Sequence, residues 1–304
     1  MAAGANESLG IPYQGNKRRI ATRVVDLFPA APVLVDVFSG GCAITHAALL
    51  SGKFDKVIVN DLSDAPTLFY IALKYGVPEK PRWVSREEFF ALKDRDPLIR
   101  YCYSFKNDGR SYCYGRDIEP LKRAAHRAVV DGDLSELPDS LRRAAEFSLR
   151  GVSGVAQRYA AFIRTVHASA VTSVRRADIE RFNQIRCLEH ITRFARIARI
   201  AECRCNSLSS AVLLAYRRDY RDLYLPDEAV VYCDPPYANT TGYGSGFDHQ
   251  AFYAYCRAVG KHHPLFVSEY WMPSDFRCVA EFTVRALAGS KTNAQTRVEK
   301  IFTL

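Results

Sequence analysis

Residues 230–237, which read Val-Val-Tyr-Cys-Asp-Pro-Pro-Tyr, carry the side chains best suited to chemistry. Their apolar first half predicts a buried strand, and the two prolines end it because neither has a backbone N–H to donate. Asp234 therefore stands at the carboxyl end of a strand. In open α/β sheets, ligands bind at that edge.

This grouping suits the activation of an aromatic amine. The 6-amino group of adenine is a poor nucleophile because its lone pair is delocalised into the ring. Acceptors aimed at both N–H bonds draw the nitrogen toward tetrahedral geometry and free that pair. Asp234 offers a carboxylate, Pro235 a backbone carbonyl, and Tyr237 a flat ring for base stacking, worth roughly 1–3 kcal/mol. The alternative is a strand that ends in an ordinary Pro-Pro turn.

A strand, a glycine turn and a helix follow one another between residues 33 and 52. Residues 33–38 predict the strand, Ser-Gly-Gly at 39–41 closes it, and a helix runs from about 44 to 52. At such a turn the backbone can approach a nucleotide-like ligand closely. The glycines do not form the G-x-G-x-x-G pattern, so a dinucleotide is not the first expectation.

Asp61 lies just beyond the next predicted strand, residues 57–59, and 20 residues after Gly41. An acid at this spacing is placed to hold ribose hydroxyls. The alternative is that Asp61 caps a helix, and the two roles are compatible. Together the two strand-turn units indicate a nucleoside-type cofactor.

Length and composition limit the class of protein. The chain has 304 residues, 48% of them hydrophobic, which suffices for one large or two modest domains. No apolar run approaches the roughly 18 residues that span a membrane, and the amino terminus lacks the pattern of a signal peptide. Nine cysteines are scattered, with Cys203 and Cys205 as the only close pair. We therefore expect buried thiols in a reducing cytoplasm and no metal.

The positive charge is concentrated in one segment. The net charge is +9, and residues 76–196 hold 23 Lys and Arg against 16 Asp and Glu, whereas the remainder is nearly balanced. A basic segment inside a nearly neutral protein indicates a polyanionic partner. The alternative is a solvated helical surface.

Aromatic residues alternate on both sides of Asn-Asp-Gly in residues 101–116. This pattern predicts a β-hairpin with a tight turn. Lys106, Arg110 and Arg116 would project near its tip, where arginine can read guanine in the major groove. The alternative is a hairpin that packs its tyrosines on a neighbouring helix.

Helices are predicted at about 119–131, 139–150 and 176–200, the last with a periodic apolar face. The glycine-rich stretch after Tyr237 predicts a loop that could close over a base, with Asn239 and Tyr243 as contacts. Asp248 is expected to cap a following helix. Further strands are expected at 265–270 and 297–302.

Four motifs follow one another in a specific order along most of the chain. They are Tyr13-x-Gly15-x-Lys17, Asp36-x-Phe38-x-Gly40-Gly41, the acid Asp61 and, after a long insert, Asp234-Pro235-Pro236-Tyr237. In this order they resemble the Dam-like adenine-specific DNA methyltransferases. The chain is most similar to the solitary enzymes of bacteriophages and prophages.

The resemblance implies S-adenosylmethionine as methyl donor and a Rossmann-like sheet of seven strands, the last antiparallel. It implies that Asp234, Pro235, Pro236 and Tyr237 hold a flipped adenine and that Asp61 binds the cofactor ribose. The residues it assigns to the cofactor are Tyr13, Lys17, Asp36, Phe38, Gly40, Gly41, Asp61 and Asp234.

One position departs from the family pattern. The family usually has an acid on the strand before Asp-Pro-Pro-Tyr, where it holds the adenine of the cofactor. We assign that strand to residues 202–207. Asn206 is the best match there, and its amide oxygen can accept the same hydrogen bond.

We therefore expect an α/β enzyme in which residues 1–75 and 197–304 form the methyltransferase sheet. Residues 76–196 would form an inserted, mostly helical target-recognition domain. The expected reaction is methyl transfer from S-adenosylmethionine to the 6-amino group of a flipped adenine in duplex DNA. The expected protein is a monomer or weak dimer in the bacterial host cytoplasm, with no membrane or metal partner.

Two alternatives stay open. One is another amine acceptor, namely the cytosine 4-amino group, an RNA adenine or a protein glutamine amide. Enzymes for cytosine more often have serine where Asp234 stands, those for glutamine have asparagine, and the large basic insert favours duplex DNA. The other alternative is a non-catalytic DNA-binding module that kept the fold.

Overall fold

The computed structural model describes residues 9–172, 180, 183–185, 187–206, 211–237, 246–285 and 296–304. The chain divides into two compact units. The first unit comprises Met1–Gly76 with Arg199–Leu304, and the second comprises Val77–Ala198. The roles of the units, catalysis and target recognition, stay predictions.

A seven-stranded mixed sheet organises the first unit. Its strands are β1 (Val33–Asp36), β2 (Lys56–Asn60), β3 (Val212–Tyr216), β4 (Ala229–Cys233), β5 (Leu265–Glu269), β6 (Arg277–Arg285) and β7 (Thr296–Thr303). They stand in the order β3-β2-β1-β4-β5-β7-β6. Of these seven, only β7 runs against the others, because it pairs antiparallel with both of its neighbours. The predicted Rossmann-like methyltransferase fold, with its last strand antiparallel, is confirmed.

Helices surround the sheet and make up most of the second unit. Those described are α1 (Ala21–Asp26), α2 (Ala43–Ser51), α3 (Ala65–Tyr75), α4 (Arg86–Leu92), α5 (Pro97–Tyr103), α6 (Glu119–Val130), α7 (Asp139–Leu149), α8 (Val155–Thr172), α9 (Glu189–Asn206) and α10 (His249–Val259). None of the helices within the described ranges is both long and apolar enough to cross a membrane.

The sheet is covered on both faces, which explains why its central strands are continuously apolar. Every residue of β1 and β4 is buried. Val231 packs in one cluster with Phe252 of α10. On the opposite face, the ring of Tyr232 lies 5.7 Å from that of Phe28, just after α1. Asp248 caps α10 as predicted, since its side chain accepts a hydrogen bond from the N–H of Ala251.

Strand β3 lies where the sequence prediction did not place it. Residues 202–207 were expected to be the strand before β4, but α9 continues to Asn206. The helix presents the buried apolar residues Phe194, Ile197 and Ile200 before it reaches this segment. The strand that precedes β4 in the chain is Val212–Tyr216.

The predicted hairpin at 101–116 is wrong. Pro97 begins helix α5 with Asp96 as its N-cap, and the helix continues to Tyr103. A short 3-10 helix follows, and one antiparallel bridge joins Ser104 to Tyr112. The alternating aromatic residues enter a buried cluster instead of lining a ribbon, because their burial outweighs strand pairing. The tyrosines in that cluster are Tyr103, Tyr112 and Tyr114, and Tyr101 is buried as well.

The predicted helix at 176–200 is interrupted. Residues 187–188 are not helical, and α9 begins only at Glu189. The predicted apolar face is nevertheless core, since Ile185, Leu188 and Ile191 are buried against α6, α7 and α8. The helices expected at 119–131 and 139–150 are confirmed as α6 and α7.

Candidate active site

The carboxyl ends of the parallel strands bring the predicted motifs to one edge of the sheet. Asp36, the last residue of β1, is aligned with Val59 of β2 and Tyr232 of β4. Strand order reverses between β1 and β4, which makes this edge the crevice where open α/β sheets bind ligands. Asp61 and Asp234 follow directly after their strands and therefore reach the same edge.

The glycine turn after β1 lies directly beneath the amino-terminal segment. The N–H of Ile11 donates to the carbonyl of Gly41 at 2.8 Å. A Cβ at Gly41 would come within 2.6 Å of Tyr13 Cβ and 2.9 Å of the Ile11 carbonyl oxygen, so only glycine fits. Gly40 has a φ of +46°, a conformation that favours glycine. Tyr13 is thereby brought against the turn.

Asp61 ties the glycine turn to the end of β2. Its Oδ2 accepts a hydrogen bond of 2.9 Å from the Gly40 N–H. Its Oδ1 accepts another, of 2.8 Å, from the Ser63 N–H. The carboxylate therefore holds the turn that a cofactor would contact, and its contact with ribose stays a prediction.

Asn60 joins the ends of three strands and was not singled out from the sequence. Its amide nitrogen donates to the carbonyls of Val37, after β1, and Arg218, after β3, at 3.1 and 3.0 Å. Its amide oxygen accepts from the Arg218 N–H at 3.0 Å. The feature that indicates this role is the complete burial of an asparagine at the end of a strand. Burial cannot be read from the sequence, so the sequence offered no signal for Asn60.

Lys17 connects the amino-terminal motif to Asp-Pro-Pro-Tyr. Its ammonium lies 2.9 Å from Asp234 Oδ1 and 3.8 Å from Glu299 Oε2. The same nitrogen lies 4.5 Å from the centre of the Tyr237 ring. The Tyr237 hydroxyl donates to Glu299 Oε2 at 2.7 Å. Glu299 belongs to β7, and no motif in the sequence pointed to it.

Two aspartates of this edge, Asp36 and Asp234, have raised pKa values. Burial raises the pKa of Asp36 to about 7, against an opposing hydrogen bond from Thr45, and nearby Asp234 and Asp61 add to the rise. Burial likewise raises the pKa of Asp234 to about 6, although the Lys17 ammonium opposes it. Tyr237 stays a hydrogen-bond donor, because burial and then Asp234 and Glu299 raise its pKa well above the usual value.

Asp36 has an unused hydrogen-bonding atom. Thr45 Oγ1 donates to its Oδ2 at 2.6 Å. Its other oxygen, Oδ1, is buried without a hydrogen-bond partner among the described residues. A buried carboxylate with an unsatisfied oxygen beside a glycine turn fits a cationic ligand group such as an ammonium or sulfonium.

Phe38 belongs to an aromatic cluster at the ends of β1 and β3. Its ring lies 5.2 Å from that of Tyr220 and 5.7 Å from that of Phe252. Tyr220 follows Asp219, an acid just beyond β3 that the sequence interpretation missed together with its strand. The hydrogen bonds of Arg221 hold the pKa of Asp219 at about 2. The five-residue apolar run of β3 was the available signal.

Several predicted site residues lie away from this edge or outside the described residues. The side chain of Asn206 is not among those described, and its backbone ends a helix instead of a strand. Asn239 and Tyr243 lie outside the described residues. The remaining three, Lys106, Arg110 and Arg116, are exposed side chains of the second unit. No cluster of metal ligands occurs among the described side chains, which do not include Cys203 and Cys205.

One of the comparisons with known proteins, the match to a family model, agrees with the chemistry of this edge. Residues 13–116 match the model of the D12 class N6 adenine-specific DNA methyltransferases. No curated protein sequence matches the chain. Two solved structures of the rRNA methyltransferase aviRa from Streptomyces viridochromogenes each share 14% identity with it, covering 99% of this chain and 90% of theirs, at a TM-score of 0.36. At that TM-score the likeness supports no conclusion, and the support for methyl transfer comes from the family model and the order of the strands.

Proposed function

We propose that this protein transfers a methyl group from S-adenosylmethionine to the 6-amino group of adenine in duplex DNA. The observation that carries the proposal is the ion pair of Lys17 with Asp234 beside the glycine turn. It unites the amine-activating residues and the cofactor-binding pattern at one edge of the sheet. The family match over residues 13–116 supports the same chemistry.

The residues present fit the cofactor. The buried, unsatisfied Oδ1 of Asp36 suits a positively charged group, and the turn at Gly40 and Gly41 leaves room for backbone approach. Asp61 is placed to accept from ribose hydroxyls. Asp219, just beyond β3, replaces Asn206 as our candidate for the acid that holds the adenine of the cofactor. The bound cofactor supplies an electrophilic methyl group on a sulfonium.

Asp234, Pro235 and Tyr237 act on the target base. Extruding the base from the duplex costs a few kcal/mol, and stacking on Tyr237 offsets part of that cost. The Asp234 carboxylate and the Pro235 carbonyl accept from the two N–H bonds of the amine and orient its lone pair. Pro236 keeps this backbone rigid. The proton leaves after methylation, so Asp234 needs to be ionised but does not deprotonate the amine beforehand.

The second unit supplies target recognition in this proposal. It holds most of the excess positive charge of the chain, and exposed Lys106, Arg110 and Arg116 are its candidate DNA contacts. Because the hairpin predicted to carry them is absent, Lys106 and Arg110 project from the loop that the Ser104–Tyr112 bridge closes, and Arg116 follows that loop. Their contact with bases or phosphates is a proposal.

The decisive experiment compares genomic DNA from cells that express the protein or its Asp234→Ala variant. Mass spectrometry of the nucleosides identifies the modified base, and long-read sequencing maps its position. We expect N6-methyladenine in one short motif, absent with the variant, which should still bind cofactor within a few fold. Detection of methylcytosine, or of methyladenine in RNA only, would show that the acceptor is the cytosine amino group or an RNA adenine instead. Cofactor binding without any methylated product would indicate a non-catalytic module.

A further inference from the structure

We propose that Glu299 is a positioning residue of the methyl-transfer site, whose carboxylate fixes the ring of Tyr237 and holds Lys17 between itself and Asp234. This inference rests on the proposed function, because it concerns how the amine-binding stretch is kept in place. Glu299 lies outside the four motifs of the sequence and outside the matched residues 13–116.

The antiparallel course of β7 brings Glu299 to the site. Lys300 is aligned with Glu269, the last residue of β5. The amino end of β7 therefore reaches the edge at which the parallel strands have their carboxyl ends. Glu299 is the next residue toward that edge, and its side chain is 13% exposed. A carboxylate this buried needs partners, and the described ones are Tyr237 and Lys17.

Glu299 restrains the orientation of the Tyr237 ring. The hydroxyl at the tip of the ring donates to Glu299 Oε2 at 2.7 Å. The ring itself meets that of Tyr270 edge to face, with centroids 4.6 Å apart at an interplanar angle of 77°. With its hydroxyl hydrogen-bonded and its ring packed against Tyr270, Tyr237 has little freedom to rotate. A stacking surface fixed in advance avoids an entropic cost when a base arrives.

Glu299 also sets the charge around Asp234. The Lys17 ammonium lies 2.9 Å from Asp234 and 3.8 Å from Glu299, so two carboxylates share one cation. The charge of Glu299 raises the pKa of Asp234, whereas that of Lys17 lowers it. The other described titratable groups that interact with Asp234 are Tyr237 in its own segment, Asp36 on β1, and Tyr232 and Cys233 on β4. Removing the charge of Glu299 should therefore favour ionised Asp234.

The test uses the full-length protein, a DNA duplex that contains the mapped motif, and S-adenosylmethionine. Glu299→Ala removes both the charge and the acceptor, Glu299→Gln keeps an acceptor, and Tyr237→Phe removes the donor. The matched control is Glu281→Ala. Glu281 lies on edge strand β6 of the same sheet and forms an ion pair with Lys300 of β7. Each variant is measured for kcat, KM for the cofactor, the pH dependence of kcat/KM for DNA, and thermal unfolding.

We expect Glu299→Ala to lower kcat by about tenfold or more while KM for the cofactor stays within about threefold. Glu299→Gln should recover most of kcat and shift the acidic limb of the pH profile to lower pH. Tyr237→Phe combined with Glu299→Ala should be no worse than the poorer single variant, because both remove one interaction. Glu281→Ala should match the wild type.

Three results would overturn the inference alone: a Glu299→Ala enzyme with wild-type kcat, losses that multiply in the double variant, or a pH limb unmoved in Glu299→Gln. Should Glu299→Ala fail to fold, two other variants still test the inference. They are Glu299→Gln, through the position of the acidic limb of its pH profile, and Tyr237→Phe, through its kcat. A wild-type enzyme that does not methylate adenine in DNA would overturn the proposed function instead, which separates the two failures.

Discussion

The Lys17 ammonium pairs with the Asp234 carboxylate at 2.9 Å, although the two residues are far apart in the sequence. The pair joins the segment above the glycine turn to the stretch proposed to hold the target amine. It also opposes the rise in the pKa of Asp234 that burial causes. Protonation of Asp234 is therefore coupled to the position of Lys17.

The first prediction concerns the pH dependence of activity. At saturating cofactor, kcat/KM for DNA should fall as the pH drops through about 6, because Asp234 then gains a proton and no longer accepts from the amine. Lys17→Met should move this limb to higher pH, since the ammonium lowers the pKa of Asp234. Initial rates from pH 5 to 9 measure both. A flat profile, or a shift to lower pH in Lys17→Met, would contradict the assignment.

The second prediction concerns stability. The pKa of the Asp36 carboxyl is raised from its ordinary value of 3.8 to about 7 in the folded protein. Ionised Asp36 therefore destabilises the native state, fully above about pH 7 and not at all below about pH 4. By linkage, the full difference amounts to roughly 4 kcal/mol. Asp36→Asn keeps an acceptor for Thr45 and loses the charge. Its stability relative to wild type should rise from pH 5 to 7 and then level off.

Urea unfolding at several pH values measures that difference, and the same samples serve for cofactor binding. Asp36→Asn should bind S-adenosylmethionine more weakly at pH 8, because the carboxylate that suits a cation is gone. Parallel stability curves for variant and wild type would show that Asp36 keeps an ordinary pKa. Unchanged affinity would remove Asp36 from the cofactor site.

The sequence predicted most of this edge because its strands are short, buried and apolar. The glycine turn, Asp61 and Asp-Pro-Pro-Tyr all follow such strands, and the structure brings them together. Edge strand β3 was missed because it is only half-buried, and residues 202–207, which the family pattern assigned to that strand, are helical as far as Asn206. Glu299 could not be predicted, since its place depends on the register of an antiparallel strand with β5.

The third prediction separates two roles of Asp61. Its carboxylate holds the glycine turn through the Gly40 N–H, and we also propose that it binds ribose. Asp61→Ala should weaken S-adenosylmethionine binding by about tenfold or more. For a cofactor analogue that lacks the ribose hydroxyls, the variant should lose less affinity, because only the hydrogen bond to the glycine turn is then lost. Calorimetry measures both, and Asp55→Ala, exposed at the opposite end of β2, is the control. An equal loss for both ligands would assign Asp61 to the turn alone.

The fourth prediction concerns Arg110, an exposed side chain of the second unit. If it reads a base, Arg110→Ala should relax the methylated motif at one position, at a cost of roughly 1–3 kcal/mol in discrimination. If it binds a phosphate, the motif should persist and the salt dependence of DNA affinity should weaken by about one unit of slope. The control is Arg257→Ala, because Arg257 is a partly exposed arginine of the first unit that pairs with Asp275. Unchanged motif and salt slope would remove Arg110 from the DNA interface.

The last prediction tests whether the amino-terminal segment must lie close to the glycine turn. At Gly41 a methyl group would meet Tyr13 and the Ile11 backbone at 2.6 and 2.9 Å, so Gly41→Ala must displace the segment that carries Lys17. Cofactor affinity should fall by about tenfold or more. Gly52 has a φ of +67°, and a Cβ added there would have no neighbouring atom within 4 Å. An alanine at this position therefore costs only backbone strain. Gly52→Ala should lose about 1 kcal/mol of stability without a change in affinity. Equal affinities in the two variants would show that close packing over the turn is not needed for binding.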